Sequence, residues 1–394
     1  MHTSPRRRAF VIFWIAQTVS LGGLQISGLG LPLTALTALS ADTRTLAVLS
    51  AAGTAPWIIF GLAVGTVVDR FPRRLLIMIS HLGRTAVLAT IPVCWLFGVL
   101  SVTQLIMVAG AVGILAMIFE TAYHAYLPYL VPAAELSAAN RRLAITDGAA
   151  RASGPAAAGA VIQSVGAPLS MIIPAACHLF CGAATAVLPA TPATSRRPRA
   201  ADLLEGARLV WRDRRLRRLV GQEMAFGFGF AVASAALLVS YADAGLSSSM
   251  IGLVIGIGAV AGIAGSVGSA RIGTLLGTEA MMRLGLVLRA VGLGALPLLF
   301  GLEIAPVVVA AGCRAAMSAG WSLWDIPRLT IMQSAATDDL GKINGTALFA
   351  VRTAELLGSS TAAALAAALA PPAVIMVGAT VATVAAIGYL LRRR

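Results

Sequence analysis

The sequence predicts an all-α integral membrane protein, with twelve transmembrane helices in two pseudo-symmetric six-helix bundles. Three observations carry this. First, of 394 residues 58% are hydrophobic and 12% charged, and the mean hydropathy is +0.87. A soluble domain carries roughly 25% charged residues, so a bilayer is the natural solvent for so much apolar surface. Second, arginines gather at alternate ends of the apolar runs. Third, charges inside those runs recur at a near-constant spacing between the two halves.

A spanning helix needs about 20 apolar residues. Twelve runs qualify, at 10–36, 45–68, 75–97, 102–127, 140–165, 167–190, 218–242, 249–270, 281–300, 304–327, 343–369 and 372–391. Arg7-Arg8-Ala9-Phe10-Val11 has the look of a twin-arginine export signal. Eleven further apolar segments follow it, so we read it as a retained first helix anchored by Arg6, Arg7 and Arg8. Residues 1–190 then form the N-terminal bundle, 191–217 a linker and 218–394 the C-terminal bundle. In the linker, Leu203, Leu204, Ala207, Val210 and Trp211 fall on one helical stripe over 202–218. That pattern predicts an interfacial amphipathic helix, with a solvated linker helix as the alternative.

Topology follows from the basic residues. One set of loops and ends holds Arg6 to Arg8, Arg70, Arg73, Arg74, Arg141, Arg142, the linker arginines, Arg271, Arg283, Arg328, Lys342 and Arg392 to Arg394. The opposite loops hold Arg44 alone. The positive-inside rule therefore predicts both termini in the cytoplasm. The net charge of +14 is accounted for by these anchors, and no nucleic-acid partner is expected. Arginine outnumbers lysine 29 to 1, a bias of GC-rich bacterial genomes that suggests a bacterial inner membrane.

The halves repeat. Arg70 and Arg271 stand 201 positions apart, as do Arg151 and Arg352. Arg84 and Arg289 stand 205 apart, as do Glu120 and Asp325. Such offsets imply two bundles related by an axis along the membrane normal. On the 201 register Ala270 aligns with Asp69, so the second copy lacks that acid.

The stretch Gly61-Leu-Ala-Val-Gly65-Thr-Val-Val-Asp69-Arg70-Phe71-Pro72-Arg73-Arg74 joins the second and third runs. Gly61 and Gly65 share a helix face and would admit a close neighbour. Asp69 can cap a helix N-terminus, and Pro72 ends the helix. This loop resembles the Gly-x-x-x-Asp-Arg-x-Gly-Arg-Arg motif of the major facilitator superfamily, with Pro72 in place of the last glycine. Further strings resemble the bacterial macrolide-efflux and enterobactin-exporter branch: Pro56-Trp57, Glu120-Thr-Ala-Tyr123 with Tyr126-Leu-Pro128, Ala139-Asn-Arg-Arg-Leu143, Leu204-Glu-Gly206 and Gly154-Pro155-Ala-Ala-Ala-Gly159. The Gly-Pro pair is similar to the antiporter motif of drug exporters, although Ala150 and Ala158 replace two glycines. No arginine lies between Gln104 and Tyr129, so the helix-four arginine of many proton-coupled exporters is absent.

Ionisable groups inside spans are expensive and become functional candidates. The proton-coupling candidates are Glu355, Asp147, Glu120, Asp325, Arg151 and Arg352. Asp147 lies one turn before Arg151, and Glu355 three residues after Arg352, so each can pair on its own helix. Glu355 and Asp147 have no mate on the 201 register, which gives them functional weight. For Glu120 a clasp with Arg73 is the structural alternative, and Asp325 with Arg328 is its possible inner-gate counterpart. The inner-gate motif is Gly61, Gly65, Asp69, Arg70, Arg73 and Arg74. The resemblance implies a cavity lined from helices one, four, seven and ten. These offer Gln17, Gln25, Tyr123, His124, Phe226, Phe230, Trp321 and Trp324, with packing as the alternative for each. His124, one turn after Glu120, can instead be its hydrogen-bond partner.

No metal is expected. Cys177-His178-x-x-Cys181 lacks zinc spacing, and cysteine in an apolar helix is a small hydrophobe. No nucleotide-binding Gly-x-x-x-x-Gly-Lys-Ser/Thr motif occurs. No cofactor and no enzymatic activity are expected. The expectation is a secondary exporter of a lipophilic or amphipathic small molecule by proton antiport and alternating access, with bilayer, substrate and protons as partners. The resemblance implies a monomer. The alternatives are an importer or symporter of the same fold, or a non-transporting membrane sensor or assembly partner on this scaffold.

Overall fold

The computed structural model describes residues 5–61, 64, 70–190, 200–297, 306–335 and 340–391, and every regular element among them is helical. In the first half these are α1 (Pro5–Leu39), α2 (Thr43–Ile59), α3 (Arg73–Leu96), α4 (Val102–Leu130), α5 (Ala133–Val165) and α6. Helix α6 runs Ala167–Ser170 and, after a turn at Met171, Ile172–Ala186. Helix α7 (Ala200–Arg212) follows. The second half holds α8 (Arg214–Asp243), α9 (Ser248–Leu276), α10 (Thr278–Gly294), α11 (Pro306–Ala335), α12 (Leu340–Leu365) and α13 (Pro371–Leu391).

Local chemistry sets the ends. Pro72 occupies the N-cap of α3 with φ −55° and ψ 122°, the extended backbone that halts a preceding helix. The Ser101 hydroxyl accepts from the Gln104 amide and caps α4. Asp213 Oδ1 accepts from the amides of Arg215 and Leu216 at 2.7 and 3.1 Å and starts α8. Gly166 and Gly277 take φ of +84° and +82° between consecutive helices, where a side chain would be strained.

Among the described residues, seven helices are long and apolar enough to cross a membrane on composition alone: α1, α3, α4, α6, α8, α9 and α13. Large apolar side chains on them face outward, among them Leu96, Met107, Val267 and Leu275. This inverts the soluble pattern and suits lipid contact. Helices α5, α11 and α12 are long enough but carry arginines and acids; α2 and α10 are each 17 residues long as described.

The chain divides into two compact units, residues 1–40 with 52–198 and residues 41–51 with 199–394. Within each, the same helix pairs pack. In the first unit α1 packs on α5 and α6, and α3 on α4 and α6. In the second α8 packs on α12 and α13, and α10 on α11 and α13. Helix starts repeat with the charges, since α3 begins at Arg73 and α10 at Thr278, 205 positions later. That register corrects one pairing. Arg271 lies inside α9, which continues to Leu276, whereas Arg70 closes its helix just before the bend at Phe71. The two arginines are therefore offset by about one helical turn.

Two further expectations shift. Helix α5 begins at Ala133, so Arg141 and Arg142 sit exposed on a helix and not in a loop. The linker helix ends at Arg212, because the Asp213 cap starts α8 there. Its buried face is Gly206, Leu209 and Val210, packed against α8 and α12. Ala207 and Trp211 point outward, Trp211 at 72% exposure with the Arg217 guanidinium 5.5 Å from its ring centre. Of the expected stripe, Val210 is buried and Ala207 and Trp211 are exposed, and the Leu203 and Leu204 side chains lie outside the described residues.

Candidate functional site

Enclosed ion pairs occur in the second unit among the described residues. Glu223, nine residues into α8, accepts from Arg289 of α10 at 2.7 Å, with the side chains 12% and 2% exposed. The Arg289 guanidinium lies 3.6 Å from the ring centre of Phe226, one turn beyond Glu223. On α11, Asp325 is buried and binds Arg328 three residues on, with hydrogen bonds of 2.9 and 2.5 Å. Asp325 is also near enough to Glu223 and Arg289 to interact electrostatically. Two ion pairs on three helices are thus close enough to influence each other, with Glu223, Arg289 and Asp325 about 14–17 Å from the arginine-rich end at roughly 1.5 Å per residue. Trp324, fully buried, meets Tyr389 of α13 edge-on at 5.0 Å.

The first unit places Arg84 where the second has Arg289. Its guanidinium faces Phe119 at 5.2 Å, and Glu120 lies within electrostatic range. No acid forms a close ion pair with it among the described residues. Beside it His81 and His178 share a hydrogen bond between their Nδ1 atoms at 3.2 Å, both rings buried. An aromatic cluster continues from Phe119 to Tyr123, Phe13 and Tyr126. Cys181 donates to the Ala16 carbonyl, and all four cysteines are free. Among the described residues no three His, Cys, Asp or Glu converge as a metal would need.

The sequence-predicted residues separate into groups. Asp147 and Arg151 pair at 2.8 Å, but both are exposed. Arg352 and Glu355 pair at 2.9 Å and are half-buried. Glu355 rests on α8, where a Cβ added to Gly227 would come 3.5 Å from its Cγ. Gln25 lies on α5, and a Cβ at Gly154 would come 2.3 Å from its Cγ. The Gly-Pro motif therefore makes room for a polar side chain of α1. Gln17 is half-buried on α1. Tyr123 stacks on Phe13 at 5.4 Å, and Phe226 on Phe230 at 6.3 Å. Trp321 is half-exposed, unlike Trp324. The His124 side chain lies outside the described residues.

Two gate expectations change. Glu120 is exposed, and among the described residues nothing joins it to Arg73. Gly61 does not mark a close helix contact, because a Cβ there would meet nothing within 4 Å. Close approach comes earlier on the helix, where a Cβ at Gly113 of α4 would lie 2.3 Å from the Gly53 carbonyl of α2. Gly65 and Asp69 lie outside the described residues. Arg70 is exposed. Arg74 donates to the Leu188 carbonyl at 2.7 Å and ties the start of α3 to the end of α6.

Sequence reasoning missed Glu223 and Arg314. Glu223 has no partner within a turn on its own helix, and its arginine is 66 residues away. Arg314 of α11 fills the space over Gly258 of α9 and faces Phe230 at 5.7 Å.

Solved structures share this fold over nearly the whole chain. The nucleoside transporter NupG aligns with 98% of this chain and 100% of its own at 13% identity and a TM-score of 0.78. A bacterial homologue of the iron transporter ferroportin aligns over 98% and 99% at 16% identity and 0.76. A bacterial homologue of the human lysosomal transporter Spinster aligns over 100% and 99% at 12% identity and 0.64. No curated protein matches the chain. Paired six-helix units with charges buried between helices define a membrane transporter of the major facilitator fold. The chain belongs to the transmembrane secretion effector family, whose profile matches residues 2–388.

Proposed function

We propose that the protein exports an amphipathic or lipophilic small molecule in exchange for protons, from a bacterial inner membrane with both termini inside. The observation that carries this is the Glu223–Arg289 and Asp325–Arg328 network, buried between α8, α10 and α11. Buried ion pairs are poor stabilisers against a well-packed apolar core, so a network in a bilayer-embedded bundle fits a working role. A carboxylate that takes up a proton releases its arginine, and that exchange is a two-state element on which a proton gradient can act. Glu355 with Arg352, half-buried against α8, is the second proton-handling pair in this reading. Phe226 couples the network to substrate, since one face carries Arg289 and the ring also stacks on Phe230. The family's description as secretion effectors supports outward movement.

The test is transport in proteoliposomes under an imposed pH gradient, with fluorescent amphipathic dyes as probes. Glu223→Gln should reduce proton-driven dye movement at least tenfold while dye exchange without a gradient persists. Unchanged gradient-driven transport in Glu223→Gln and in Asp325→Asn would remove the network from the coupling step. Dye accumulation running with the proton flow, not against it, would favour import.

A further inference from the structure

A cavity of about 850 Å³ opens in the second unit at the arginine-rich ends of α8, α10 and α13. Arg214, Arg215, Arg217, Arg218 and Arg283 line it, together with Glu279, Gln222 and Tyr389. Arg283 is engaged by Glu279 on its own helix, and Arg217 donates to the Trp211 carbonyl. The other three arginines have no acidic partner among the described residues. Two helix N-termini meet here, and that of α10 has no side-chain cap. Both the partial positive charge of the helix ends and the guanidinium groups favour an anion.

An independent observation points to a ligand. Gln222 is 5% exposed and lines the cavity, and its amide Nε2 finds no hydrogen-bond partner. A buried amide donor without an acceptor is costly, and an oxygen-rich anion in the cavity would supply one. The lining also has an apolar part, formed by Val384, Ala385 and Gly388 of α13 with Met282 of α10 and Ile331 of α11. Val384 is well exposed on the outer surface of α13. A phosphate group can lie on the arginines while a hydrocarbon stem leaves along this wall. Helix α7, with its exposed Trp211, ends immediately before Arg214 and is suited to the water–lipid boundary.

We infer that this cavity binds a phosphate-bearing anion, and that its apolar wall selects the phosphodiester headgroup of an anionic phospholipid over free phosphate. Basic pockets between membrane helices have the chemistry for such headgroups. None of Glu223, Arg289, Asp325 and Arg328 lines the cavity, and the inference does not depend on the direction of transport.

The test uses the full chain purified in mild detergent and examined by native mass spectrometry with phosphatidylglycerol, phosphatidylcholine and inorganic phosphate. One phosphatidylglycerol should be retained at least tenfold more strongly than phosphatidylcholine. The triple variant Arg214→Gln, Arg215→Gln, Arg218→Gln should lose that preference, and Gln222→Leu should weaken retention several-fold. If the triple variant does not fold, Gln222→Leu, which keeps every charge, decides alone. Equal retention of the two lipids, or retention unchanged in these variants, would overturn the site. Displacement of phosphatidylglycerol by inorganic phosphate at equal concentration would overturn the lipid assignment.

Discussion

The two units use one helix arrangement but fill its equivalent positions differently. Where α3 meets α4, Arg84 faces Phe119 with two histidines alongside. In the second unit the corresponding arginine, Arg289, has a carboxylate from α8 and the ring of Phe226. The difference lies in the sequence, because α1 contains no acid that could meet Arg84 as Glu223 of α8 meets Arg289. A second contrast concerns glycine. In the first unit Gly154 of α5 yields space to Gln25 of α1; in the second, Gly227 of α8 yields it to Glu355 of α12. The bulky side chain and the gap have exchanged helices. Duplicated scaffolds can thus keep their helix spacing while moving charge into one copy.

The sharpest way to break this comparison is at the α10–α11 contact. A Cβ at Gly285 would lie 2.7 Å from the Gly320 carbonyl and 2.8 Å from the Trp324 amide, and backbone cannot step aside. Gly285→Val should abolish recovery of monodisperse protein on size-exclusion chromatography. The matching position in the first unit, 205 residues earlier, is the buried Ser80, which already carries a Cβ; one turn on, the nearest atoms to a Cβ at Gly83 belong to the Leu115 side chain at 3.0 Å. Gly83→Ala should be recovered near wild-type yield.

Next in size is the arginine pair. Arg289→Ala leaves Glu223 enclosed without a partner, and removing one member of a buried pair costs about 3–5 kcal/mol. Thermal unfolding in detergent should show a clear drop, partly restored by adding Glu223→Gln. Arg84→Ala strands no close carboxylate and should destabilise less. Equal losses at the two positions would mean that the ion pair adds nothing beyond packing.

Gly154→Ala comes third. It forces Gln25 from its place and should cost about 1–3 kcal/mol as an overpacked contact. Gly227→Ala, with 3.5 Å to Glu355, should be close to neutral. The smallest effect is expected at Asp147 and Arg151. That pair is exposed, and such pairs contribute about 0–1 kcal/mol. Asp147→Asn should leave the melting temperature unchanged within error, and any change in transport would then be functional.

Much of this was legible in the chain. Apolar run lengths marked the helices, and the 205 spacing of Arg84 with Arg289 and Glu120 with Asp325 marked the repeat. Pairs within one helical turn, such as Arg352 with Glu355, follow from the 3.6-residue period alone. Contacts between helices do not. Glu223 meets Arg289 only because α8 and α10 are brought together in three dimensions, and no local pattern announces it. Glu120 fails for the same reason, since its helical position is clear but the side that faces outward is set by packing. On α7 the apolar positions Val210 and Trp211 are legible, but which of them packs on the bundle and which stays exposed is set in three dimensions.

The exchange of glycine and side chain between α1–α5 and α8–α12 constrains how the halves can be recombined. A hybrid carrying α5 in place of α12 would set Gly154 opposite Gly227 and leave a hole where a carboxylate had been. The reverse hybrid would drive Glu355 into Gln25, two polar groups competing for one slot. Each copy has become dependent on its own helices, so modular shuffling between them is closed despite their common plan.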